Sequence, residues 1–269
     1  MKDFDGKVAV VTGAASGIGR CLALDFARRG MRVVGADIEA PPLEATGKEI
    51  EALGCEWLGV PTDTTRLESV QALADAAFSR FGAVHVLCNN AGVAISGEMA
   101  RTPHEDWQWV LGVNLWGVIH GIEAFVARMI DQRQGGHIVN TASMAGIIAS
   151  KGLGVYNTSK YAVVGLSETL RKELRDENIG VSVLCPMGVH TGILDSARNR
   201  PKALQTGRAQ PEVTELLGKY LPPEAVSARV LAAIESNELY VFTHPEALEF
   251  IERRFERMRR AHDPIMGKN

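Results

Sequence analysis

Tyr156 and Lys160 stand four residues apart in the stretch YNTSK. On a helix, positions i and i+4 share one face, which sets a phenol beside an ammonium. A tyrosine hydroxyl ordinarily titrates near ~10 and moves protons poorly at neutral pH. A neighbouring cation favours the phenolate and lowers that value by roughly 1–3 units, toward the working range of a general acid or base. The same spacing also occurs on ordinary helix faces, where the lysine only snorkels to water. The rest of the chain must decide between the two.

A second stretch that can do chemistry, TGAASGIG, occupies residues 12–19, directly after the apolar run VAVVT. Glycines between a strand and a helix let the backbone approach a pyrophosphate held at the helix N-terminus. Gly13, Gly17 and Gly19 hold those positions, with Ser16 and Ile18 between them. The next apolar run, RVVGAD, ends on Asp37, where the dinucleotide fingerprint expects a carboxylate on the adenosine ribose. Such a carboxylate accepts from the 2′-hydroxyl of NAD and repels the 2′-phosphate of NADP. Neither Ser16 nor Ile38 offers a cation to that phosphate, and Arg20 reads as a solvated residue of the early helix. NAD is the expected cofactor.

These residues need a scaffold, and the hydrophobic pattern describes one. Short β-branched runs at 8–12, 32–37, 56–60, 84–89, 137–142, 180–185 and 239–243 read as strands. Periodic segments such as 17–29, 43–53, 66–80, 104–131 and 157–177 read as helices between them. The strand runs are continuously apolar, as strands covered on both faces should be. Regular β-α alternation predicts an α/β fold with a parallel sheet. Residues 192–223 break this rhythm; such an insertion serves either as a substrate lid or as a solvated excursion.

Composition narrows the function classes. The chain has 269 residues, 46% of them hydrophobic and 23% charged, with a net charge of −3. An α/β domain of this size buries about 75% of its unfolded surface and needs no staples. The net charge gives no electrostatic case for nucleic acid or an anionic membrane. Cys21, Cys55, Cys88 and Cys185 are far apart and read as reduced thiols of a cytoplasmic protein, and no histidine pairing implies a metal. The N-terminus lacks signal-peptide architecture, and no apolar run of about 18 residues predicts a membrane span.

Taken in order, TGAASGIG, Asp63 after the third run, NNAG (89–92), Asn114 in GVNLWG, Ser143 and YNTSK carry a resemblance. From residue 6 to about residue 245 the chain resembles the short-chain dehydrogenase/reductase family. The resemblance implies a single Rossmann-like domain over 1–269, with a doubly wound, seven-stranded parallel sheet and helices on both faces. It implies hydride transfer between a nicotinamide and an alcohol or carbonyl. By the same matching, Tyr156 would exchange a proton with the substrate oxygen, and Lys160 would hold the nicotinamide ribose and lower the Tyr156 pKa. Ser143 would orient the substrate oxygen, and Asn114 would hold a water linking Lys160 to solvent. Asp63 would meet the adenine with Thr64 beside it, and Asn90, Ala91 and Gly92 would lie along the adenosine ribose. In PMGVHT (186–191), Pro186, Gly188, Val189 and Thr191 would approach the nicotinamide. Met187 stands where the family commonly has glycine, either as a flexible apolar wall of the substrate site or as a core methionine.

Family topology would bring Ile95, Met144, Met187, Ile193 and Leu194 to the substrate, together with Val93, Ala94, Ile147, Ile148 and Leu153. None is charged, which favours a bulky apolar alcohol or ketone of aryl, terpenoid or steroid type. The segments 193–201 and 239–255 look similar to family members that oxidise lignin-derived aryl alcohols. A basic amphipathic tail, part of 245–269, is expected to dock near the cleft or at a subunit contact. Family practice suggests a homodimer or homotetramer built on 104–131 and 157–177, with Trp116, Ile119, Phe125, Val163 and Leu166 as apolar material. Two other readings stand beside the NAD-dependent dehydrogenase: an NADP-dependent carbonyl reductase, and a regulator that senses dinucleotide without turnover.

Overall fold

The structure is a computed structural model describing residues 1–207, 219–262 and 265. Its strands are β1 (Val8–Thr12), β2 (Arg32–Asp37), β3 (Trp57–Pro61), β4 (Val86–Asn89), β5 (Gly136–Thr141), β6 (Ile179–Cys185) and β7 (Tyr240–Phe242). They form one parallel sheet in the order β3-β2-β1-β4-β5-β6-β7. The order reverses between β1 and β4, which opens a crevice beyond the strand ends there. Every strand lies within two residues of its expected span.

Alternation along each strand sorts side chains into two layers. In β1, Ala9 and Val11 join Leu22 and Phe26 of helix α1 (Gly17–Arg28), Leu43 and Ile50 of α2 (Ala40–Ala52) and Val230 of α7 (Pro223–Ser236). Val8 and Val10 face the other way. They meet Leu73 of α3 (Leu67–Phe81), Phe125 of α5 (Gly117–Asp131) and Leu170 of α6 (Gly154–Glu173). Both faces of the sheet are thus dry along its central strands, which is why those strands read as unbroken apolar runs.

The helices depart from expectation where caps and turns decide. Helix α2 starts at Ala40 because Pro41 and Pro42 sit in its first turn, where missing N–H groups cost nothing. Helix α6 starts at Gly154, with the Leu153 carbonyl taking the Asn157 N–H at 2.7 Å. The helix expected over 104–131 is α4 (His104–Leu111) and α5 joined by a π-helical turn, Gly112–Trp116. By length and hydropathy alone, 1.5 over its most apolar window, that stretch would suffice to cross a membrane. Here Trp109, Val110, Val118, Phe125 and Met129 of the same stretch are buried in the fold. Helix α7 was not among the expected helices. Phe125 and Val163 are fully buried within the chain, so they are core residues and not subunit-contact material.

Of the expected lid, residues 208–218 lie outside the described residues, as do 263, 264 and 266–269 of the tail. Residues 192–199 and 202–204 are short 3₁₀ segments. Backbone bonds from Leu221 N–H to Gly188 (3.0 Å) and from His190 N–H to Leu221 (2.9 Å) hold the base of the excursion. Arg200 pins its middle. Its guanidinium lies 2.6 Å from the Asp106 carboxylate, with both side chains almost fully buried. It also stacks 5.0 Å from the Trp109 ring and donates to Leu204 O at 2.6 Å. The close contact to Asp106 Oδ1 is not a well-aligned hydrogen bond, so charge attraction carries it. Removing one partner of a buried pair strands the other charge. Arg200→Met is expected to lower stability by about 3 kcal/mol, read from the urea midpoint of the purified protein.

The last helix, α8 (Ala247–His262), lies against the sheet end. Phe250 and Ile251 pack with Met144, Ile147 and Val163, and Arg254 donates to Ile147 O at 2.5 Å. Leu248, Phe255 and Met258 face outward.

Candidate active site

A cleft of about 640 Å³ runs along the carboxyl ends of the strands, from Asp37 and Asp63 to Tyr156 and Lys160. Each wall is built from residues that leave a strand.

The turn after β1 forms one end. Gly13 and Gly17 take left-handed backbone at φ 71° and 53°, which glycine adopts without strain. A Cβ on Gly19 would fall 2.0 Å from Gly13 O, so Gly19 seats α1 against the turn and does not itself line the cleft. Thr12 Oγ1 accepts from the N–H groups of Asn90 (2.9 Å) and Ala91 (3.0 Å). Asn90 Nδ2 returns a bond to Thr12 O at 3.0 Å. The glycine turn and NNAG are therefore one stitched unit, with Ser16, Ile18, Asn90, Ala91 and Gly92 on the cleft wall.

Asp37 ends β2 half-buried. Its carboxylate accepts from Ala15 N–H and Glu39 N–H, each at 3.0 Å. Burial raises its pKa against the pull of those donors, which also fix the direction of its oxygens. Asp63 Oδ1 accepts from Thr65 N–H (3.0 Å) and Thr65 Oγ1–H (2.7 Å), and Thr64 lines the cleft beside it. Arg20 is away from the cleft and pairs with Glu49. A glycine cradle too tight for side chains, followed by an oriented carboxylate, fits a dinucleotide with its adenosine ribose at Asp37.

At the other end Ser143 follows β5 in extended backbone. Its hydroxyl accepts from Ala145 N–H (3.1 Å), donates to Pro186 O (3.3 Å) and lies close enough to the Tyr156 phenol to favour the phenolate. Tyr156 and Lys160 share a face of α6, with the ammonium 5.6 Å from the phenol ring centre. Lys160 is buried and donates to Thr141 O at 2.8 Å. Burial holds its pKa down to about 8. Burial pushes the Tyr156 phenol up to about 12, with the nearby Ser143 hydroxyl pulling the other way. The expected lowering of the phenol is thus outweighed by desolvation, the effect a sequence does not display.

Asn114 sits in the π-helical turn, fully buried beneath the cleft. Its Oδ1 accepts from Val93 N–H at 2.8 Å. Its Nδ2 donates to Val93 O (2.9 Å) and Ser159 Oγ (3.1 Å). Asn114 therefore clamps the chain just after NNAG. Pro186, Met187, Gly188, Val189 and Thr191 line the cleft, and neither Met187 nor Gly188 has a positive φ, so methionine at 187 carries no backbone strain.

Of the expected substrate contacts, Ile95, Met144, Met187, Ile193 and Leu194 line the cleft with Val93, Ala94 and Leu153. Met187 does so while also packing on the core. Ile147 and Ile148 do not line it; they pack with Val163 and α8, because the turn after Ser143 carries them inward. The sequence reading missed Glu39, Trp109, Arg198 and Tyr220 on the cleft wall. Glu39 alone had a signal, as a second acid two residues after Asp37. His190, exposed, stacks on Tyr220 at 5.0 Å.

A model of the family described as short chain dehydrogenase matches residues 7–202. The chain belongs to this family. A short-chain dehydrogenase/reductase from Burkholderia phymatum, solved in complex with NAD, is 42% identical, with a TM-score of 0.90 over 100% of this chain and 98% of its own. The C alpha-dehydrogenase of Sphingobium sp. strain SYK-6 is 35% identical over 95% of this chain and 86% of its own. The CLA biosynthesis dehydrogenase/reductase of Lactiplantibacillus plantarum is 34% identical over 96% and 95%. As a short-chain dehydrogenase, the protein is an oxidoreductase that uses a nicotinamide dinucleotide on an alcohol or carbonyl.

Proposed function

We propose that the enzyme transfers hydride between NAD and a bulky apolar secondary alcohol of aryl, terpenoid or steroid-like type, with Tyr156 as the acid/base. The observation that carries this reading is the convergence of the Tyr156 phenol, the Ser143 hydroxyl and the Lys160 ammonium at the apolar end of the cleft. Bound NAD supplies the hydride acceptor. Ser143 donates to the substrate oxygen and fixes its distance from Tyr156. In oxidation Tyr156 accepts the hydroxyl proton, and in reduction it returns one to the carbonyl oxygen. Lys160, already oriented by Thr141 O, binds the nicotinamide ribose hydroxyls and favours the phenolate. Both side-chain atoms of Asn114 are engaged, so a relay water at this residue falls to its main-chain carbonyl. The carboxamide end meets Val189 and Thr191, and the adenine lies by Asp63 and Thr64.

Support for a large apolar substrate comes from Ile95, Leu153, Met187, Ile193 and Leu194, with Trp109 closing the wall. Residues 192–204 form the lid in this reading. For the oligomer, Trp116 is half-exposed and Ile119 and Leu166 reach the surface, which supplies an apolar patch for a homodimer or homotetramer.

The test mixes purified protein with NAD⁺ or NADP⁺ and a panel of aryl, terpenoid, steroid and short aliphatic alcohols, followed by nicotinamide absorbance. Turnover is expected with NAD⁺ and one bulky class. Turnover confined to short alcohols would sink the substrate class. Dinucleotide binding with silence across the panel would favour the sensor. Asp37→Ser removes the carboxylate that repels a 2′-phosphate, and is expected to cut the NAD⁺ over NADP⁺ preference in kcat/KM by about 10-fold or more.

A further inference from the structure

Among the described residues lining the cleft, two are cations. One is Lys160; the other is Arg198, at the opposite end, beside Asp37 and Glu39. Arg198 forks onto Glu39, with Nη2 2.8 Å from Oε2 and Nε 3.2 Å from Oε1. Its Nη1 donates to the carbonyls of Asp195 (3.0 Å) and Gly192 (3.2 Å), which aims the fork from the lid toward the end of β2. The Asn199 side chain lies near the same Glu39 carboxylate and, with Arg198, favours its charged form. Asp37 lies near enough to act electrostatically on the guanidinium. A planar guanidinium held beside the ribose carboxylate has the geometry that receives a phosphate, and here the carboxylate of Glu39, two residues along from Asp37, already occupies its fork.

We propose that Arg198 is a latent receptor for a 2′-phosphate, masked by Glu39, so that Glu39 shares with Asp37 the selection of NAD over NADP. The proposal rests on the reading of this cleft as a dinucleotide site with its adenosine ribose at Asp37. Selection then has two parts. Asp37 supplies repulsion at the ribose, and Glu39 both adds a second negative charge and withdraws the guanidinium that would offset it. Both members of the pair keep contact with water, so the pairing exchanges readily once a better anion is offered or the carboxylate is removed. Glu39 leaves the sheet at the strand end and Arg198 hangs from the lid, so the pair also ties the lid across the adenosine end of the cleft.

The experiment measures binding and needs no substrate. NADH and NADPH are titrated by fluorescence into the full-length protein at fixed ionic strength, for the wild type, Glu39→Gln, Arg198→Gln and the double variant. Glu39→Gln is expected to tighten NADPH about 10-fold, equivalent to about 1.4 kcal/mol, and to change NADH by less than about threefold. The double variant is expected to lose that gain, and Arg198→Gln alone to leave NADPH weak. If Glu39→Gln left NADPH affinity where it was, or the gain survived in the double variant, the masking idea would be wrong. Should Arg198→Gln fail to fold, Glu39→Gln/Arg198→Lys replaces the double variant. A lysine cannot fork onto phosphate, so part of the gain should vanish; a full gain would overturn the role of the guanidinium. A wild type that prefers NADPH overturns the NAD reading itself, a result separate from any Glu39 effect.

Discussion

Tyr156→Phe is expected to lower kcat by about 10⁴-fold while NADH binding stays within a few-fold of the wild type. The substitution removes one oxygen and keeps the ring at this position of α6. The phenol lies on the cleft wall, and the hydroxyl proposed to exchange the proton is gone in the variant. Steady-state kinetics and NADH fluorescence titration together make the check. A variant that kept most of its turnover would show that another group moves the proton. The pH profile carries the same argument. Burial has pushed the phenol up to about 12, so at neutral pH the resting group is protonated. In the proposed mechanism oxidation needs the phenolate, so its rate should climb with pH through the alkaline range; carbonyl reduction, which would consume the phenol proton, should not climb with it. A positive nicotinamide ring and a charged Lys160 lower the titration point in the loaded enzyme, which shifts the rise to lower pH.

Lys160→Met should cost about 10³-fold in kcat/KM and weaken NADH binding, because in the proposed mechanism the ammonium serves both the phenol and the ribose. The same substitution reports on stability with opposite sign. Lys160 is almost fully buried, and burial lowers its pKa from 10.5 to about 8. Between those values the unfolded chain holds a proton that the folded chain has released. Stability from this group therefore rises with pH from about 8 to 10.5 and is lowest at and below neutrality. The cost of the buried cation at pH 7 is about 3 kcal/mol, partly offset by the bond to Thr141 O. Urea melts at pH 7 and pH 10 on apo wild type and variant isolate the effect as a double difference. The variant should gain on the wild type at pH 7 and lose that margin at pH 10. A margin independent of pH would mean that Lys160 keeps its ordinary pKa in the folded protein, its ammonium reached by water.

Much of this architecture was legible in the chain because both faces of the sheet are dry. VAVVT and RVVGAD can only be covered strands, and the register follows from alternation of Ala9 and Val11 against Val8 and Val10. The glycine turn, Asp37, Ser143, Tyr156 and Lys160 were legible because each occupies a strand end or a single helix face. Helix α7 was not: it begins where the irregular stretch 192–223 ends, with Pro222 at its N-cap and Pro223 at its first position. Ile147 and Ile148 were assigned to the substrate because they follow Ser143, yet the direction of a turn is set by what packs behind it. Phe125 and Val163 failed as surface residues for a related reason: an apolar stripe does not state which neighbour covers it. The Glu39–Arg198 pair joins positions 159 residues apart, and no local pattern encodes such a meeting. Desolvation of Tyr156 is likewise tertiary, so the sequence displays the cation beside the phenol and hides the larger opposing effect.

One carbonyl has a consequence for how the protein is made. Ile147 O receives both the Tyr161 hydroxyl and the Arg254 guanidinium, so the loop carrying Ser143 is fully held only when α8 is present. Strands β3, β2, β1 and β4 are neighbours in the sheet and come from the first 89 residues. On the ribosome that half can pair while the Ser143 half still waits for a helix near the end of the message. Until β5 emerges, β4 is an open sheet edge with a buried-type sequence, and this edge is the place where a nascent chain would engage a chaperone or a neighbouring copy of itself.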